Sequence, residues 1–134
     1  MQTRKFLTQE DVQKIGAAAV AEAQKNHWTV TIAIVDDGGH LLWLKRLDGA
    51  ATASVYIGQE KARAAALGRR ETKRYEDMIN QGRTAFLSAP LAGMLEGGVP
   101  IIVDGHLVGA VGVSGVQSSE DAQIAKAGIA ALGA

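Results

Sequence analysis

The run Gly97-Gly98-Val99-Pro100-Ile101-Ile102-Val103-Asp104-Gly105-His106-Leu107-Val108-Gly109-Ala110-Val111-Gly112-Val113-Ser114-Gly115 decides the fold of this chain. Two apolar stretches flank Asp104-Gly105, a pair suited to a two-residue type I′ turn, so they read as a β-hairpin. Glycines at 109, 112 and 115 remove side-chain bulk from the second strand and let another element approach its backbone closely.

Working outward, residues 29–36 alternate and are rich in β-branched side chains. Val30, Ile32 and Ile34 face one way, and Thr31, Ala33 and Val35 the other. A strand apolar on both faces belongs at the centre of a covered sheet. Asp37-Gly38-Gly39 turns the chain, and residues 40–48 return as its partner. Thr8 with Asp11 predicts a capping-box start for a helix to about Asn26. Ser54 is the expected cap of a second helix through Lys61 and Leu67, and Thr72 of a third ending near Gly82. Pro90 argues against a continuous helix over 84–96, where a fifth strand is expected. Ser118 and Asp121 repeat the capping-box spacing ahead of a closing helix striped with Ile124, Ala125, Gly128, Ile129 and Leu132. The order α-β-β-α-α-β-β-α, without repeat or linker, predicts a single domain over residues 1–134, with helices packed on an antiparallel sheet.

Composition narrows the function. A chain of 134 residues buries roughly two thirds of the surface its unfolded form exposes, enough for a core without staples. There is no cysteine, and 14 basic residues balance 14 acidic ones. No net field therefore draws the chain to nucleic acid or to an anionic membrane. Six aromatics give no stacking platform for single strands. No apolar run reaches membrane-spanning length, and Met1–Lys5 leads into a helix start, so the expected location is the cytoplasm.

The hairpin run GGVPI…DG…VGAVGVSG, preceded by Val35-Asp36-Asp37-Gly38-Gly39-His40-Leu41, resembles the GlcG/HbpS-like family, which includes the carboxy-terminal domain of PduO-type proteins. The resemblance extends from Leu7 to Leu132 and includes Arg46-Leu47-Asp48-Gly49-Ala50, Lys61-Ala62-Arg63 and Gly82-Arg83-Thr84-Ala85-Phe86. Leu47 stands where the family usually has Met, a nearly volume-conserving exchange. The resemblance implies an α+β fold: a profilin-like three-layer α/β/α sandwich with an antiparallel sheet of about five strands. It also implies haem or corrinoid association, membership of catabolic operons, and self-association into dimers or octamers.

Three functional readings stand at this point. In the first, the chain binds haem or a related tetrapyrrole, and His27 beside Trp28 ligates the iron; the alternative role for His27 is a cation at a helix C-terminus. His40 and His106 each follow a turn and read as turn residues. In the second, a cofactor-free isomerase, lyase or hydrolase acts on a small carboxylate. Arg63 and the Gly97-Gly98 amides would bind the acid, Arg46 and Asp48 would rim the pocket, and Glu96 would move the proton. The alternative for Arg63, on or beside a buried helix face, is an ion pair with Asp48 or Glu96. In the third, the chain is an accessory assembly subunit. The sequence excludes a phosphate loop, since the glycines around 112 lie within a strand and lack a GK[ST] ending. No HExxH spacing supports zinc, and Ser114 lacks a nucleophile-elbow pattern. Asp121 reads as a capping carboxylate, and the run from Arg69 to Asp77 as a solvated face.

Overall fold

The computed structural model describes residues 1–133. Its elements are α1 (Gln9–Lys25), β1 (Thr31–Asp36), β2 (Leu41–Arg46), α2 (Ala53–Gly68), α3 (Lys73–Asn80), a 3-10 turn (Thr84–Ser88), β3 (Gly98–Val103), β4 (His106–Ser114) and α4 (Ser118–Ala130). Asp104 and Gly105 have φ of +51° and +78°. Two left-handed residues make the type I′ turn, whose twist suits the flanking strands. β3 and β4 accordingly pair antiparallel, β4 pairs β1, and β1 pairs β2. The sheet order is β2-β1-β4-β3, which puts β1 in the interior as its two apolar faces require.

The two faces of the sheet are covered differently. On one side α1 and α4 pack large side chains, among them Ile15, Ile32, Ile34, Val111, Val113 and Ile124, into the main core. Gly16 in α1 leaves room for the Trp43 ring, which a Cβ there would approach to 2.6 Å. On the other side α2 lies almost on the strands, with Ala33, Val35, Ala62, Ala65, Ala66 and Ala110 between them. A Cβ at Gly112 would fall 2.1 Å from the Gly58 carbonyl oxygen and 2.4 Å from the Ala62 nitrogen. The glycine-rich strand is therefore the seat of α2. The result is a three-layer α/β/α sandwich of the α+β class.

Local details depart from expectation. The sheet has four strands: residues 84–96 form the 3-10 turn and irregular chain. Pro90 has no N–H to donate to a ladder, and Gly93 (φ +67°) presses on the Glu60–Lys61 backbone, where a Cβ would meet it at 2.5 Å. At α1 the capping box forms: Thr8 Oγ1 accepts the Asp11 N–H (3.2 Å) and Asp11 accepts the Thr8 N–H (2.9 Å). At α2 the cap position falls to Thr52, and Ser54 instead lies buried against β1, its hydroxyl 2.7 Å from Thr31 Oγ1. At α4 the cap is Gln117, whose N–H donates to Glu120 at 3.3 Å. Ser118 does not form the expected box with Asp121, which turns inward.

Candidate functional site

α1 stops at Lys25, and His27 takes the left-handed conformation (φ +58°) that a helix terminus usually gives to glycine. Its N–H donates to the Gln24 carbonyl (3.1 Å) and that of Trp28 to Ala23 (2.8 Å). This reversal leaves the His27 ring exposed and turns Trp28 partly into the core. Leu47 donates its N–H to Val30 (2.9 Å), so the chain beyond β2 continues alongside β1, and Gly49 (φ +91°) then turns it away. The two segments enclose a cleft of about 510 Å³, with His27, Trp28 and Thr29 on one wall and Lys45, Arg46 and Asp48 on the other. Three of the sequence candidates, His27, Arg46 and Asp48, are thus brought to one place.

The remaining candidates are elsewhere. Arg63 is exposed on the outer side of α2, 3.9 Å from Glu60, and its Cγ packs by Gly39 in the β1–β2 turn. It forms neither the Asp48 nor the Glu96 pair. The buried stripe of α2 is Gly58, Lys61, Ala62, Ala65 and Ala66, a helical i, i+3, i+4, i+7, i+8 pattern. The inward cation is therefore Lys61. Its Nζ donates to Asp121 Oδ2 (3.1 Å) and to the Val113 carbonyl (3.0 Å), and Asp121 Oδ1 accepts the Val116 N–H (3.2 Å). Both side chains are at most 4% exposed. Burial raises the Asp121 carboxyl above its ordinary value, with Lys61 pulling it back.

Gly97 packs against this pair, and Gly98 is bonded to Thr72. A Cβ on Gly97 would come within 2.8 Å of Lys61 Nζ. The Gly98 N–H donates to Thr72 Oγ1 (2.8 Å), and its carbonyl accepts the Thr72 N–H (3.0 Å). That amide is committed within the protein. Glu96 is half-buried, its N–H directed at Glu76 (3.4 Å).

One arrangement escaped the sequence reading. Asp36 accepts the N–H groups of Gly38 and His40 (2.9 Å each) and faces His40 Nδ1 at 3.1 Å. Partial burial pushes this carboxyl up, but the donors from His40 and Gly38 outweigh it and hold the group below its ordinary value. With Nδ1 engaged, the other ring nitrogen of His40 is the one left to bind a metal or accept a proton. The available signal was the four-residue Asp-x-x-x-His spacing across a tight turn. No group of three or more His, Asp or Glu is placed to hold a metal ion among the described residues.

Against known proteins, the model of the family described as "Haem degrading protein HbpS-like" matches residues 7–130. Protein GlcG of Escherichia coli (strain K12) is 61% identical over 114 residues, covering 85% of each chain. A crystal structure of a Streptomyces reticuli HbpS double mutant superposes with a TM-score of 0.89 at 32% identity, over 100% of this chain and 92% of the other. A structure described as a PduOC:heme complex superposes at 0.85 with 28% identity, over 95% of both chains. The match spans the sheet, the helices on both its faces and the cleft between residues 27 and 48, and on that ground the chain belongs to the HbpS-like family.

Proposed function

We propose that this protein binds haem or a closely related tetrapyrrole in the cytoplasm, seated in the cleft between the end of α1 and the end of β2. One observation carries the reading: His27, Arg46 and Asp48, distant in sequence, share a single cleft with Trp28 and Lys45. The donor set suits the ligand. An exposed imidazole would hold the iron, and the indole would pack on the macrocycle. Lys45 and Arg46 would pair with its carboxylates. Haem bound there would supply a redox-active iron centre, held by His27. The PduOC:heme complex among its structural relatives supports the same ligand.

A second placement of the iron has its own support, because Asp36 orients the His40 imidazole as a carboxylate orients a metal-bound histidine. Self-association belongs to the same reading, through the edge strand β2, where Leu41 and Leu42 are about half exposed. The small-carboxylate enzyme has less behind it, since Arg63 is exposed beside Glu60 and the Gly98 N–H is already bound to Thr72.

The test is a haem titration followed by absorbance, on wild type, His27→Ala and His40→Ala. A stoichiometric Soret shift that disappears in His27→Ala establishes the cleft and its ligand. Disappearance in His40→Ala alone moves the iron to the β1–β2 turn. Weak binding that neither substitution changes rules out a haem site at either histidine.

A further inference from the structure

We propose a second binding site, on α3, for a small dianion presenting phosphate or carboxylate oxygens. Arg74, Asp77, Met78 and Gln81 follow i, i+3, i+4, i+7 spacing and so share one face of α3. After the helix, Gly82 (φ +112°) reverses the chain, its N–H donating to Ile79 and that of Arg83 to Met78 (3.0 and 3.2 Å). This turn brings Arg83 back over the same face. Arg74, Asp77, Met78, Gln81 and Arg83 together line an open cleft of about 450 Å³.

Arg83 is held in place before any ligand arrives. Its Nη1 lies 3.6 Å from the Met78 sulfur, and its guanidinium carbon 5.6 Å from the centre of the Phe86 ring. Phe86 stacks on Tyr75 with ring centres 5.3 Å apart, and Tyr75 is buried. The guanidinium therefore rests on an aromatic pair anchored in the protein. Asp77 stands in the wall of the cleft itself, but it and the other carboxylates nearby are already paired. Asp77 is bound by Lys73 at 2.8 Å, Glu71 by Lys126 at 3.3 Å, and Glu76 accepts the Glu96 N–H. Neither Arg74 nor Arg83 has a carboxylate partner among the described residues. Two arginines lining one cleft repel each other, and a dianion bound by both would replace that repulsion with paired, charge-assisted hydrogen bonds. Arg74, Gln81 and Arg83 in an exposed wall suit a small hydrated anion rather than an apolar ligand.

The experiment is isothermal titration of the whole protein with methyl phosphate and, separately, malonate, both dianions at mildly alkaline pH, at low ionic strength. Wild type should bind one anion per chain, with affinity falling at least about tenfold in Arg74→Ala and in Arg83→Ala. Lys25→Ala, a remote surface cation, should bind as wild type does. Phe86→Leu, which removes the ring under Arg83, should bind more weakly with Arg83 intact. Response to one probe alone assigns the head group as phosphate or carboxylate. No heat with either probe overturns the site. So does equal weakening by Lys25→Ala, which would mean diffuse attraction, or full retention of binding in either arginine variant. Thermal unfolding of the two free arginine variants should stay close to wild type, since both arginines are exposed.

Discussion

Two places where this molecule combines a basic side chain with a carboxylate have opposite fates. Beneath α2, Lys61 and Asp121 are sealed from water, and the hydrogen bonds of the pair end on the Val113 carbonyl and the Val116 N–H. At the end of β2, Lys45, Arg46 and Asp48 stand exposed beside His27 with a cleft between them. The same residue types yield a cross-brace in one place and a receptive surface in the other. What separates them is whether the protein has already satisfied their hydrogen-bonding capacity. A closed network stabilises and is chemically silent, whereas an open one has affinity left for a ligand.

If that contrast is right, breaking the closed pair has the largest effect. Asp121→Ala should cost about 3–5 kcal/mol, because Lys61 is left buried without its counter-charge. Urea unfolding would show it, and the paired replacement Lys61→Met with Asp121→Leu should recover most of the loss. A single-site cost below about 1 kcal/mol would mean that water reaches the pair, and the contrast would collapse.

Crowding the pair should matter nearly as much. Gly97→Ala places a Cβ on a residue at φ +131° and within 2.8 Å of both Lys61 Nζ and the Val113 carbonyl oxygen. We expect a loss of about 2 kcal/mol, read from the midpoint of chemical denaturation.

The open region should respond in the opposite sense. His27→Gly relieves a left-handed residue and should raise the stability of the free protein by about 1 kcal/mol while removing haem binding. Measured together, melting temperature and Soret titration separate function from architecture; a destabilised variant would show the His27 ring to be structural.

The smallest effect concerns acid. The ordinary carboxyl value for Asp36 is 3.8, and the folded protein holds it lower through N–H donors from His40 and Gly38, which outweigh its partial burial. An acid lowered on folding contributes stability that is fully present above about 3.8 and is lost as pH falls through the folded value. Stability measured against pH should therefore fall less steeply below pH 4 in Asp36→Asn than in wild type. Identical slopes would remove the carboxylate's hold on the β1–β2 turn.

Much of the fold was legible in local chemistry. The Asp104-Gly105 turn, the two-faced strand β1 and the Thr8–Asp11 cap each rest on neighbouring residues, and each lies where its chemistry predicts. The errors lie where the deciding partner is remote. A strand was expected within 84–96, but that chain packs against α2 at Gly93, a contact no local pattern announces. Ser118 and Asp121 have capping spacing, yet a lysine 60 residues away claims Asp121. The small residues around Arg63 suggest an inward arginine, but the helical periodicity from Gly58 through Ala62, Ala65 and Ala66 turns Lys61 inward instead. The site was legible only in part. His27, Arg46 and Asp48 could be named singly, but their meeting in one cleft follows from the β1–β2 pairing and the reversal after α1.

By itself, then, the sequence determined the elements, the hairpin at Asp104-Gly105 and the absence of net charge, since turn chemistry, periodicity and composition act within a few residues or over the whole chain at once. Tertiary structure alone decided which charges are enclosed and which remain open. That choice depends on how closely α2 can settle on β4, and the closeness is set by glycines and alanines on two elements about 50 residues apart: no side chain intervenes at Gly58 and Gly112, so Lys61 is carried inside with the helix while Arg63 is left in water.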